Sequence, residues 1–165
     1  MTIPHRGQTS QSTYFITANT FQKKSIFQVD GNALLFIEVL YHYRQNGNYL
    51  LHEFVLMPNH FHLLITPTGI TLERALQLIK GGSSYRMGKE RGIKKEIWQT
   101  SFLDRRVRDS EEYEGFRDYI HQNPVKRFLA KTPAEYPYSS ASGKFQLDPV
   151  PQWLKPLSRA TSVQA

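Results

Sequence analysis

The stretch that most restricts this fold is the pair of apolar runs either side of Pro58-Asn59. Tyr49 to Met57 reads as one strand, His60 to Thr66 as a second, and only two residues separate them. Two extended runs joined so tightly form an antiparallel hairpin. Pro67 closes the second run, since it has no N–H to give to a ladder.

The second run carries His60 and His62. In a strand, residues i and i+2 share a face, so the two imidazoles lie side by side while Phe61, Leu63 and Ile65 point the other way. Two readings stand at this point. The pair is either part of a solvated sheet face or half of a divalent-metal site completed by ligands from elsewhere.

Around the hairpin the chain reads in order. Residues 14–18, Tyr-Phe-Ile-Thr-Ala, form a first strand, followed by a loop carrying Lys23 and Lys24. Asp30 is placed to cap a helix with apolar positions Leu34, Ile37, Val39, Leu40 and Tyr41, ending before Asn46-Gly47-Asn48. Thr71 caps the next helix, with Leu72, Ala75, Leu76 and Ile79 as its stripe and Gly81-Gly82 as an expected break or bend. A short strand is expected around 104–107. Ser110 is the expected cap of a last helix with stripe Tyr113, Phe116 and Ile120, ending near Asn123 because Pro124 disfavours helical angles before it.

This pattern predicts an α+β fold, a ferredoxin-like or RRM-like sandwich of order β-α-β-β-α-β. Its antiparallel sheet has helices on one face and an added C-terminal helix, with the His-bearing strand central and the opposite face open. One domain is expected over 1–165, with a core of about 13–130 and an irregular, wrapping segment at 131–165 that ends in disorder.

Composition narrows the chemistry. With no cysteine, disulfides, thiolate zinc sites and cysteine nucleophiles are excluded. The polar start, residues 1–12, and the lack of a long apolar run point to a cytoplasmic protein without membrane contact. Between Arg74 and Arg108 there are ten Lys or Arg against three acids, so this stretch holds the whole net charge of +7. Tyr85, Trp98 and Phe102 lie among those cations. Such interleaving suits nucleic-acid binding, and it equally suits a solvated charged face.

On the last helix Tyr119 and Asn123 stand one turn apart on one face. Asn123 can offer an amide oxygen and Tyr119 a phenol. Two imidazoles and an amide oxygen leave positions open on Mg²⁺ or Mn²⁺ for a phosphate oxygen, which a phenol could attack. Singly, Tyr119 also reads as a core aromatic and Asn123 as a helix stop. His121 projects elsewhere and is not a ligand.

Together the motifs resemble a known family. His60-Phe61-His62 is similar to the HUH motif, and residues 118–126, Asp-Tyr-Ile-His-Gln-Asn-Pro-Val-Lys, resemble the tyrosine helix of REP-associated tyrosine transposases, within the single-tyrosine (IS200-like) HUH transposases. The likeness extends through Met57-Pro58-Asn59, through residues 80–85 (Lys-Gly-Gly-Ser-Ser-Tyr), and through Trp98-Gln99, Phe102 and residues 104–106. It implies Tyr119 as nucleophile and His60, His62 and Asn123 as ligands of Mg²⁺ or Mn²⁺. The implied substrate is single-stranded DNA with REP-like hairpins, cut to leave a 5′-phosphotyrosine and a free 3′-hydroxyl, by a monomer or homodimer that is nucleoid-associated when bound. No general base is visible, so the metal or Lys126 would stabilise the phenolate. Arg86, Lys89, Lys94, Lys95, Arg105 and Arg106 are the phosphate partners expected, Tyr85 and Trp98 the stacking residues, and Lys80 and Lys126 complete the set. The rival readings are an RRM-like binding module without catalysis and a metal nuclease in which water attacks.

Overall fold

The computed structural model describes residues 11–155. The first ten residues, and the C-terminal end for which disorder is expected, lie outside the described residues. The hairpin forms as read: β2 (Tyr49–Met57) and β3 (His60–Pro67) pair antiparallel with Met57 opposite His60. β1 (Tyr14–Asn19) pairs with the free side of β3, and β4 (Leu103–Arg106) pairs with β1. The sheet order is β2-β3-β1-β4, so the His-bearing strand is internal.

Period-2 alternation divides the sheet's side chains between two layers. Ile16, Ala18, Phe61, Leu63 and Ile65 face α1 (Asp30–Gln45) and α2 (Leu72–Arg91), where Phe36 and Trp98 lie about one ring-width from Phe61. Phe15, Val55, Met57 and Leu64 face the other way. That second face is not open as expected. α3 (Ser110–Lys126) lies on it and buries Tyr113 and Ile120 against the sheet, because Val55, Met57 and Leu64 are apolar and need cover.

A β-bulge between Leu51 and Glu53 shifts the phase of β2. Leu51 and Phe54 then both face the α1/α2 layer, while His52 is left to bond Thr66 Oγ1 at 2.8 Å. The bulge re-aims Glu53 toward α3.

Several helix ends differ from the sequence reading. Val29 precedes α1 and Asp30 is its first residue, with no capping bond from a side chain at 29; Leu34 is 53% exposed, and Ala33, Phe36, Ile37 and Leu40 form the buried stripe. α2 runs unbroken through Gly81-Gly82, capped as expected by Thr71 Oγ1, which accepts from Arg74 N at 3.0 Å. A methyl at Gly82 would fall 2.9 Å from Tyr43 Oη, so this glycine serves the close approach of α2 to α1 and not a break. Asp109, not Ser110, caps α3, accepting from Glu112 N at 2.8 Å. Pro124 lies inside α3, which continues to Lys126. Proline forfeits one helical hydrogen bond, and the burial of Ile120, Asn123 and Pro124 holds the extra turn.

The C-terminal segment is irregular but closes an edge. Leu56 N donates to Tyr138 O at 2.8 Å, Ser139 bridges to Val55, and the Asp148 carboxylate accepts from Leu51 N and from Arg44. These bonds satisfy the free side of β2. The opposite edge, β4, is exposed and charged, which discourages strand pairing.

Candidate active site

His60 and His62 project from β3 into the layer beneath α3, both buried, with ring centroids 4.9 Å apart. Each ring is fixed through its Nδ1. His60 Nδ1 donates to Asn59 Oδ1 at 2.7 Å, and His62 Nδ1 is hydrogen-bonded to Thr17 Oγ1 at 2.9 Å, the residue paired with it across β1 and β3. Fixing Nδ1 leaves Nε2 of each ring for another partner. Burial, then the charges of Arg127 and Lys23, push His60 down to about 4; burial, then His60 itself, pushes His62 down to about 3. At neutral pH both are neutral imidazoles with a lone pair to give.

Across this pair lies the C-terminal half of α3. Tyr119 stands edge-on to the His62 ring, centroids 5.1 Å apart, and edge-on to Phe15 at 5.9 Å. It remains 43% exposed. One turn on, Asn123 is buried beside His60, and its Oδ1 has no hydrogen-bond partner. With the His60 proton committed to Asn59, the His60 Nε2 and the Asn123 Oδ1 both present lone pairs. With His60 in that tautomer the Asn123 Oδ1 has no donor, and a buried amide oxygen left unbonded is costly.

This donor set fits a divalent cation. His60, His62 and Asn123 would offer two imidazole nitrogens and one amide oxygen, fewer donors than such an ion takes up. Among the described residues no cluster of three or more His, Cys, Asp and Glu occurs, as expected of a set with only two such residues.

Residues beyond the motif complete the pocket. Phe15 is stacked between His62 and Phe116, at 5.2 and 4.4 Å, and Arg105 lies 5.8 Å from the Phe116 ring. A cleft of about 600 Å³ opens here between Thr17, Leu103, Arg105, Phe116 and Tyr119. Lys126 Nζ is 6.0 Å from the Tyr119 ring. His121, as expected, points away: its Nε2 is 2.7 Å from Glu53 Oε1, which also accepts from Ser140 Oγ at 2.6 Å. Thr17, Phe15 and Glu53 were not singled out from the sequence; strand register and a bulge bring them in, and neither leaves a local motif.

The basic residues are dispersed. Of the expected set, Arg105 and Lys126 border the pocket. Lys80 sits in the α1/α2 layer, donating to the carbonyls of Gln99, Thr100 and Ser101, the shortest at 2.6 Å, and burial lowers its pKa. Arg86 is paired with Glu90 and Glu38, Lys89 lies 5.9 Å from the exposed Tyr85 ring, and Arg106 faces away from the histidines. Lys94 and Lys95 follow α2 in an exposed loop. Trp98 is not available for stacking on a ligand, because its ring is buried against Phe27 and its Nε1 donates to Ser83 Oγ.

The family described as Transposase IS200 like matches residues 8–123, a span holding both histidines, Tyr119 and Asn123. The chain belongs to that family. Among IS200-like transposases, a REP-associated tyrosine transposase of Escherichia coli (strain K12) is 25% identical over 143 residues, 82% of this chain and 83% of its own. A solved structure of a REP-associated tyrosine transposase bound to a REP hairpin superposes with a TM-score of 0.68 at 23% identity, over 96% of either chain. That likeness bears out the α+β sandwich, within which the sheet order makes the His-bearing strand internal. No helix among the described residues is long and apolar enough to cross a membrane.

Proposed function

We propose that this IS200-like transposase cleaves single-stranded DNA beside REP-like hairpins with Tyr119 as nucleophile, in a reaction that depends on Mg²⁺ or Mn²⁺ held by His60, His62 and Asn123. The observation that carries this reading is the buried Asn123 Oδ1 without a partner, one helical turn from an exposed tyrosine and beside two neutral imidazoles. A bound divalent ion supplies Lewis-acid polarisation of a phosphoryl oxygen there.

The chain's own groups do the rest. The Tyr119 Oη forms a bond to phosphorus as the bond from phosphorus to the 3′-oxygen breaks; the phenol gives up its proton to solvent and the departing 3′-oxygen gains one. The 5′-phosphotyrosine conserves the diester bond energy, so a 3′-hydroxyl attacking the same phosphorus restores tyrosine and joins strands. The Thr17 and Asn59 bonds hold the rings against rotation, and the Phe15 stack supports His62. Arg105 and Lys126 place positive charge where the strand must pass.

The test is a hairpin oligonucleotide labelled on the 3′ side of the cut, the fragment that stays on the tyrosine, and incubated with protein, with and without chelator. The reading requires label covalently on protein only when Mn²⁺ or Mg²⁺ is present. Cleavage that leaves no label on protein would instead establish attack by water.

A further inference from the structure

The described residues contain three non-glycine positions with positive φ: Gln22, Lys23 and Phe128. They fall in two segments, which carry Lys23 and Arg127: Thr20 N donates to Asn59 O at 2.9 Å just before the first, and Arg127 N donates to Asn123 O at 3.1 Å at the second. The backbone is thus held in a rarely populated conformation in two segments that join the candidate site, one through Asn59 and one through Asn123.

Phe128 is the least expected of the three. It follows the last turn of α3, where Arg127 N donates to Asn123 O and Phe128 N to Val125 O, the place where a chain leaving a helix commonly carries glycine because φ is +61°. A phenyl ring gains nothing from the fold here, since Phe128 is 94% exposed. Leu129 beside it is 45% exposed, and Lys126 and Arg127 precede it directly. An aromatic face next to two cations, five residues beyond Asn123 at the end of the same helix, matches an unpaired nucleobase on a phosphate backbone. Bases stack on such rings and the cations meet the adjoining phosphates.

We propose that Phe128 is the stacking platform for an unpaired base flanking the scissile phosphate, with Arg127 and Lys23 gripping the backbone on either side. This rests on the reading of Tyr119 as the nucleophile. It sets where the single strand leaves the active site and adds a contact that discriminates flanked from unflanked hairpins.

The experiment uses the full chain and hairpin oligonucleotides of a REP-like palindrome, with single-stranded flanks in which 2-aminopurine replaces one base at a time. Wild-type protein should quench the fluorophore at one flank position. Phe128→Ala and Phe128→Gly should abolish that quenching and weaken binding of the flanked hairpin by about tenfold, Phe128→Trp should retain both, and binding of the hairpin without flanks should stay unchanged. Phe128→Gly should melt no lower than wild type, so loss of folding does not explain the result. Quenching and affinity unaltered in Phe128→Ala would overturn the proposal. The two readings separate cleanly, because the covalent adduct on Tyr119 is scored in the same samples: adduct present with unaltered quenching removes only the role of Phe128, whereas wild-type protein that forms no adduct removes the catalytic reading and this one with it.

Discussion

The Tyr119 ring meets the His62 imidazole edge to face, at 5.1 Å and 80° between planes. This contact joins the sheet, which carries the imidazoles proposed to hold the metal, to the helix, which carries the proposed nucleophile. Everything that sets the roll of α3 on the sheet therefore sets where the phenol points.

The Glu53 and His121 pair is one such setting. It ties the tyrosine helix to β2 at 2.7 Å, with Ser140 tying the C-terminal segment to the same oxygen at 2.6 Å. His121→Ala is expected to lower the rate of adduct formation about tenfold or more while hairpin affinity holds, since small misplacement of a reacting atom is costly. Single-turnover gels and fluorescence anisotropy on the same preparation check it. Glu53→Gln, which keeps an acceptor, should lose less than Glu53→Ala.

Thr17 bears on the proposed metal site through His62. Thr17→Val keeps the volume and removes only the bond to His62 Nδ1. Groups that orient a ligand imidazole typically change metal affinity by about 10- to 100-fold, so Mn²⁺ binding followed by calorimetry should weaken within that range. The melting temperature should fall by only a few degrees.

Acid should unfold the metal-free protein earlier than a surface-charged protein of this size. His60 lies at about 4 and His62 at about 3, and burial also lowers His52. Because these folded-state values lie below the ordinary value near 6.5, the unfolded chain takes up protons first. The stability they represent is therefore fully present above about pH 6.5 and is lost as pH falls toward 4 and 3. Denaturant midpoints measured across that window should decline steadily, and His52→Gln should make the decline shallower.

Much of the architecture was legible in local pattern, and the exceptions share a cause. The hairpin, the Thr71 cap and the i to i+4 spacing of Tyr119 and Asn123 depend on neighbouring residues, so they could be read directly. The position of α3 depends on which sheet face lacks cover. Alternation at Val55, Met57 and Leu64 shows an apolar second face, but only the assembled sheet shows that α3 is what covers it. Likewise Gly82 reads as a breaker until Tyr43 is seen against it, and Trp98 reads as a stacking residue until Phe27 and Ser83 claim its ring. Thr17 became visible only through strand register.

The same distinction predicts which cations serve DNA. Arg105→Gln and Lys126→Gln, at the pocket, should each reduce the slope of log K against log salt by about one if the charge meets a phosphate. Lys80→Gln should leave that slope unchanged and lower the melting temperature instead, since its ammonium holds the Gln99 to Ser101 carbonyls.

The central claim is that Tyr119 forms the bond to DNA. Its most direct test is peptide mass spectrometry of protein incubated with hairpin oligonucleotide and Mn²⁺, comparing wild type with Tyr119→Phe. A nucleotide mass is expected on the peptide containing Tyr119 in the wild type, and no adduct with hairpin binding retained in Tyr119→Phe. An adduct that persists in Tyr119→Phe, or that maps to another residue, would contradict it.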